Sequence, residues 1–216
     1  MISKLQCITQ DLREFTHDEI AEHACSGGMD WIQLRIKNKS YNEELSIAMK
    51  VKLVCDKYNA KLIVNDNVTL AKAIEADGVH LGKTDMDPIE ARRILGDEFI
   101  IGGTANTFED IQILVKANVN YIGLGPFRFT KTKENLSPIL GLAGYQEIIK
   151  KCTEAGINIP IIAIGGIKTE DVKPLMETGI YGIAVSSAIT RSISISRAAK
   201  GFLTELEMTN KQKANQ

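Results

Sequence analysis

Along the chain, short apolar runs of strand length alternate with longer stretches whose apolar positions recur at helical spacing. The runs Leu5–Thr9, Trp31–Arg35, Lys61–Asn65, Gly78–Leu81, Phe99–Gly103, Tyr121–Leu124, Pro160–Ile164 and Ile180–Val185 read as strands. Between them, helical patterns run over 16–24, 41–58, 68–75, 87–95, 107–117, 142–154 and 169–178, and a last one over 187–206. Thr16 is placed as an N-cap, and Pro88 suits a first helical turn. The strands are apolar and mostly without alternation, as expected when both faces are buried. Eight strand–helix units with no linker between them predict a (β/α)8 barrel over 1–207, followed by a polar tail over 208–216 that is expected to fray. The competing fold, an open doubly wound sheet, calls for a glycine-rich first βα turn. The residues after Thr9 are Gln-Asp-Leu-Arg.

In such a barrel, the chemistry sits where strands end. The second strand leads into Gln33-Leu-Arg35-Ile-Lys37, whose polar side chains share one face by alternation. They either project into the barrel mouth or form an ordinary solvated strand end. The third strand ends in Asn65-Asp66-Asn67 and the fourth in His80-Leu-Gly-Lys-Thr-Asp85. Asp66 and Asp85 therefore fall on adjacent strands at one rim. Two carboxylates plus substrate phosphate oxygens are a usual way to hold Mg²⁺, whereas a lone Asp before a helix is commonly a cap. The fifth strand leads to Thr104 and Asn106. The sixth opens a loop with Thr130, Lys131, Thr132 and Lys133 crowded together, hydroxyls and ammonium groups suited to phosphate. The seventh ends in Gly165-Gly166, a tight turn or a phosphate cradle, and the eighth in Ser186-Ser187.

Composition narrows the choices. The chain has 216 residues, 44% hydrophobic and 25% charged, with a net charge of -1. That balance fits a full globular core and points to no nucleic-acid or membrane partner, so any anion site is local. No apolar run approaches the ~18 residues of a membrane span, and the first residues lack a signal-peptide pattern, so the expected location is cytoplasmic. Cys7, Cys25, Cys55 and Cys152 form no C-x-x-C pair and read as reduced, buried thiols. Of the histidines, His17 and His23 are expected at the surface, and His80 is expected to fill space or to orient, not to transfer a proton. No His–Ser or Cys–His pairing argues for a nucleophile.

The ordered set Gln33-x-Arg35-x-Lys37, Asn65-Asp66, Asp77-Gly-Val-His-Leu-Gly-Lys-Thr-Asp85, Gly123-Leu-Gly-Pro with Thr130-Lys-Thr-Lys133, Ile164-Gly-Gly-Ile167 and Val185-Ser-Ser-Ala-Ile189 resembles the thiamine-phosphate synthase family over nearly the whole chain. The resemblance implies a transferase that joins an aminopyrimidine diphosphate to thiazole phosphate and releases pyrophosphate. It implies a Mg²⁺-dependent, dissociative course through a pyrimidine carbocation. Gln33, Arg35, Lys37, Asn65 and Lys133 would then hold the diphosphate substrate, and Asp66 and Asp85 the Mg²⁺. Thr130, Lys131, Thr132, Gly166, Ser186 and Ser187 would hold the thiazole phosphate. Arg35, Lys37, Thr104 and Lys133 would serve the bond-breaking step. Small phosphorylated molecules are the implied partners, together with a homo-oligomeric assembly. Thr104 stands where the family usually has Ser, Asn106 where it has His, Lys83 where it has Gln, and Phe129 where it has Pro. Two alternatives sit on the same barrel: an isomerase resembling thiazole tautomerase, and a non-catalytic phosphate-binding barrel. Retention of the cations and carboxylates at 33–37, 66, 85 and 133 favours the transferase.

Overall fold

The computed structural model describes residues 2–129 and 138–214. Eight parallel strands close into a barrel in chain order: β1 Leu5–Ile8, β2 Trp31–Leu34, β3 Lys61–Asn65, β4 Gly78–Leu81, β5 Ile100–Ala105, β6 Tyr121–Leu124, β7 Ile161–Ile164 and β8 Gly182–Val185. β8 returns to β1 with Cys7 opposite Val185. The barrel expectation holds, and the open sheet is excluded by this closure.

The helices are α1 His17–Ser26, α2 Tyr41–Tyr58, α3 Val68–Ala73, α4 Pro88–Leu95, α5 Phe108–Lys116, α6 Gly141–Glu154, α7 Val172–Glu177, α8 Ser187–Thr190 and α9 Ile195–Ala214, with a 3-10 turn at Thr169–Asp171. Local chemistry sets their starts. Thr16, Ser40 and Thr107 each cap a helix through a side-chain oxygen, and Glu19, Glu43 and Asp110 return the bond to the cap backbone. The final helical stretch differs from the expected single helix over 187–206. It breaks after Thr190, because Ser194 supplies a new cap to the Arg197 amide at 3.4 Å. It then continues as helix through 208–214, where a frayed tail was expected.

Two apolar cores result. The larger lies between sheet and helices and includes Leu34, Val51, Leu62, Ile122 and Phe202. The smaller fills the barrel itself with Ile8, Trp31, Ile63, Tyr121, Ile162 and Ala184. Such a plug seals the barrel and confines ligands to its rim. The four cysteines are free and buried, and burial pushes the Cys7 thiol up to about 12. No helix among the described residues is long and apolar enough to cross a membrane.

Candidate active site

The strand ends bring the expected residues to one rim, with β2, β3 and β4 as neighbours. Gln33 lies inside the barrel, buried, and its amide donates to Gln6 Oε1 at 3.0 Å. Arg35 and Lys37 follow the end of β2, half-buried and exposed respectively. Lys37 Nζ reaches Asp66 Oδ2 at 2.9 Å. Asn65 closes β3 opposite His80 of β4.

The helix caps decide between the two readings of the carboxylates. Asn67 caps α3 and Asp87 caps α4. Asp66 and Asp85 therefore cap neither helix. Asp66 sits at φ 64, a left-handed conformation that turns it off the strand line. Asp85 accepts from the Gly82 amide at 2.6 Å. The two carboxyl groups are hydrogen-bonded to each other. Burial, and then that bond, raises Asp85 above the usual carboxylate range. Burial also pushes Asp66 up, but the hydrogen bonds from Asp85 and Lys37 outweigh it and hold Asp66 low. Two adjacent carboxylates, one held above and one below the usual range, form a centre suited to a divalent cation. A cluster of three or more acidic, histidine or cysteine ligands does not occur among the described residues. Any cation here would thus need oxygens from a ligand or water to complete its shell.

A hydrogen-bonded chain crosses the barrel interior beneath this rim. Gln33 bonds Gln6, Gln6 reaches the Tyr121 hydroxyl at 3.4 Å, and Tyr121 meets His80 Nδ1 at 3.0 Å. His80 Nε2 then meets Thr104 Oγ1 at 3.0 Å. His80 thus bridges Tyr121 and Thr104, which fits the orienting alternative of the two structural roles expected for it. Gly102 makes space for this chain, since a Cβ there would stand 2.2 Å from the Tyr121 ring and 2.6 Å from His80 Nδ1. Asn106 donates to the Gly125 carbonyl and so ties the β5 and β6 ends together. Lys83 pairs with Asp110 at 2.5 Å, directed at the start of α5 and not at Asp66.

On the far side, Gly165 and Gly166 adopt φ 103 and 68. Ser186 precedes α8 without capping it, and among the described residues its hydroxyl is buried with no partner. Such a hydroxyl is costly unless a ligand or water meets it. Ser187 is exposed. Thr130, Lys131, Thr132 and Lys133 lie outside the described residues.

One cluster was not anticipated. His17, expected at the surface, is 5% exposed. Its Nδ1 meets Thr9 Oγ1 at 2.7 Å and its Nε2 meets Asp11 Oδ1 at 3.3 Å. Thr9 Oγ1 also accepts from the Arg35 amide at 3.1 Å, and Asp11 Oδ2 from the Lys37 amide at 3.1 Å. The cluster thereby fixes the backbone that presents both cations. The run Thr9-Gln-Asp11 at a strand end was the available signal.

The family model described as thiamine monophosphate synthase matches residues 5–189. The chain belongs to this family. It is 57% identical over 192 residues to the thiamine-phosphate synthase of Flavobacterium johnsoniae, covering 89% of this chain and 91% of that one. It is 53% identical over 188 residues to the thiamine-phosphate synthase of Bacteroides fragilis, covering 87% and 92%. Among solved structures, the thiamine phosphate pyrophosphorylase of Pyrococcus furiosus superposes with a TM-score of 0.85 at 32% identity, over 95% of this chain and 96% of that one. Membership in the thiamine-phosphate synthase family makes the chain a transferase and does not favour the isomerase or the non-catalytic barrel.

Proposed function

We propose that this chain condenses an aminopyrimidine diphosphate with thiazole phosphate, yielding thiamine phosphate and pyrophosphate. The observation that carries the site assignment is the Asp66–Asp85 pair beside Lys37, with neither carboxylate used as a helix cap. The donor set fits Mg²⁺, which takes one or two carboxylates and fills its shell with phosphate oxygens and water. Asp66 and Asp85 would hold it. When bound, it supplies positive charge against the diphosphate.

The chain's own residues do the rest. Arg35 and Lys37 draw the diphosphate to the β2 end, with Asn65 beside them and Lys133 as a further cation. Their charge stabilises the leaving pyrophosphate as the carbon–oxygen bond opens. Gln33 and Thr104 orient the pyrimidine over the barrel axis. The Gly166 turn, Ser186, Ser187 and Thr130 to Thr132 seat the thiazole phosphate so that its ring nitrogen faces the exposed carbon. The aminopyrimidine stabilises its own cation, so the step requires no protein nucleophile. The same reading makes the enzyme cytoplasmic and homo-oligomeric.

The test is direct. Purified protein with both substrates and Mg²⁺ should form thiamine phosphate and pyrophosphate in equal amounts. Folded protein that forms neither would overturn the proposal.

A further inference from the structure

The β6 and β7 ends are joined beyond their strand pairing. The Phe127 amide donates to the Ile164 carbonyl at 2.9 Å, and the Arg128 amide to the Gly165 carbonyl at 3.0 Å. Arg128 Nη1 donates to the Gly166 carbonyl at 2.8 Å. Three successive carbonyls of the glycine turn therefore face one loop. The cis bond of the described chain is Gly125-Pro126, so the turn's own peptides are trans. In a trans peptide, the carbonyl and the next residue's N–H point opposite ways. The Gly166 and Ile167 amides are thus turned away from the β6 loop. Successive amides on one side of such a turn make a concavity for an anion.

Arg128 is itself held in place. Asp171 grips the guanidinium in a fork, Oδ2 to Nη1 at 2.5 Å and Oδ1 to Nη2 at 2.9 Å. Asp171 is 7% exposed and also accepts from the Lys168 amide at 2.8 Å. The guanidinium lies 4.9 Å from the Phe127 ring centre. A Cβ on Gly166 would stand 2.5 Å from Arg128 Cγ, so the turn and this side chain are fitted to each other.

We infer that Arg128 is a positioning residue for the phosphate turn at Gly165-Gly166, with Asp171 fixing Arg128. This rests on the reading of that turn as the thiazole-phosphate seat. Arg128 acts from behind the turn, through its carbonyls, and orients the amides that meet the ligand. The diphosphate residues on β2, β3 and β4 stand at other strand ends, and of that set Lys133 alone follows Arg128 in the β6 loop.

The experiment compares KM for both substrates in Arg128→Lys, Asp171→Asn and the double variant. Lys keeps the charge but loses the fork, and Asn keeps an oxygen for the Lys168 amide. Each single variant should raise KM for thiazole phosphate about tenfold or more, the scale of a lost charge-assisted bond. KM for the pyrimidine diphosphate should stay at the wild-type value. The double variant should be no worse than the worse single one, because the two residues act as one device. A general loss of fold would lower the apparent kcat through the smaller active fraction and leave both KM values in place. Equal rises, no rise, or additive effects would overturn the inference. Wild-type protein that makes no thiamine phosphate would instead overturn the functional reading beneath it.

Discussion

Replacing Asp66 with Asn separates the carboxylate's charge from its backbone. Asp66 occupies φ 64, a region that Asn tolerates about as well as Asp. Alanine there would add backbone strain of about 1–2 kcal/mol and confuse the result. Asn also keeps an oxygen for Lys37 Nζ, now 2.9 Å from Asp66 Oδ2. What disappears is one negative charge of the Asp66–Asp85 pair. In metal-free protein that loss relieves Asp85, which burial and then its bond to Asp66 hold above the usual range. The Lys37 pair is half in solvent, 45% and 33% exposed, and such a pair contributes about 0–1 kcal/mol. Stability should therefore move by less than about 1 kcal/mol. Activity should move far more. Removing one preorganised electrostatic contact costs about 10²–10³ in rate, or about 2.7–4 kcal/mol. The assay is the initial rate of thiamine phosphate formation across a Mg²⁺ titration, with urea unfolding measured alongside. Loss of rate at limiting Mg²⁺ with stability intact is the expected result. A wild-type rate at limiting Mg²⁺ would refute the metal assignment, and a large loss of stability would make Asp66 a structural residue.

Three further expectations follow from the same geometry. Gly102→Ala drives a methyl into the Tyr121 ring and His80, so it should cost about 1–3 kcal/mol and raise KM for the pyrimidine substrate through the displaced Thr104 bond; an unchanged melting temperature and KM would refute the packing argument. Burial holds the His17 pKa below its ordinary value, with Asp11 opposing. The unfolded chain then binds the extra proton first, so stability is full above about pH 6.5 and falls as pH drops through the folded-state pKa. His17→Gln should lose less stability than wild type between about pH 7.5 and about pH 5.5, and equal losses in urea unfolding would sink this account. Lys133→Ala should chiefly raise KM for the diphosphate substrate; an effect confined to thiazole phosphate would reverse its assignment.

The barrel was legible because its strands are buried on both faces and so spell themselves as apolar runs. All eight fall within two residues of the observed bounds at either end, and β3, β4 and β6 coincide with them. The errors have local causes. The single helix expected over 187–206 ignored Ser194, whose hydroxyl competes for the Arg197 amide and restarts the helix. His17 looked exposed because it lies at the start of the first helix. Its partners Thr9 and Asp11 precede it on a strand end, a tertiary relation that helical spacing does not encode. The rim placement of the candidate residues at 35–37, 65–66 and 85 was readable from their places at strand ends. Their pairing was not, since it depends on which neighbours, Asn67 and Asp87, take the caps. Likewise, the direction of Lys83, which stands two residues before Asp85 in sequence, shows only in its pairing with Asp110.

On the proposed assignment of the two phosphate sites, the strand order sets them on opposite sides of the barrel. In a closed barrel of eight strands, β3 lies opposite β7. Lys37, Asp66 and Asp85 gather around β3, and the glycine turn and Ser186 around β7 and β8. Two anions held on opposite sides leave the barrel axis between them as the place where the new carbon–nitrogen bond forms. Beneath that place runs the chain Gln33, Gln6, Tyr121, His80 and Thr104. None of these five side chains is itself a carboxylate or a lysine, and burial pushes the Tyr121 phenol up, so it stays protonated. A floor of hydrogen bonds without an anion can orient an aminopyrimidine while offering no carboxylate to trap its cation. The charge that opens the bond is kept at the rim, on the side of the leaving group, and the incoming nitrogen arrives from the other.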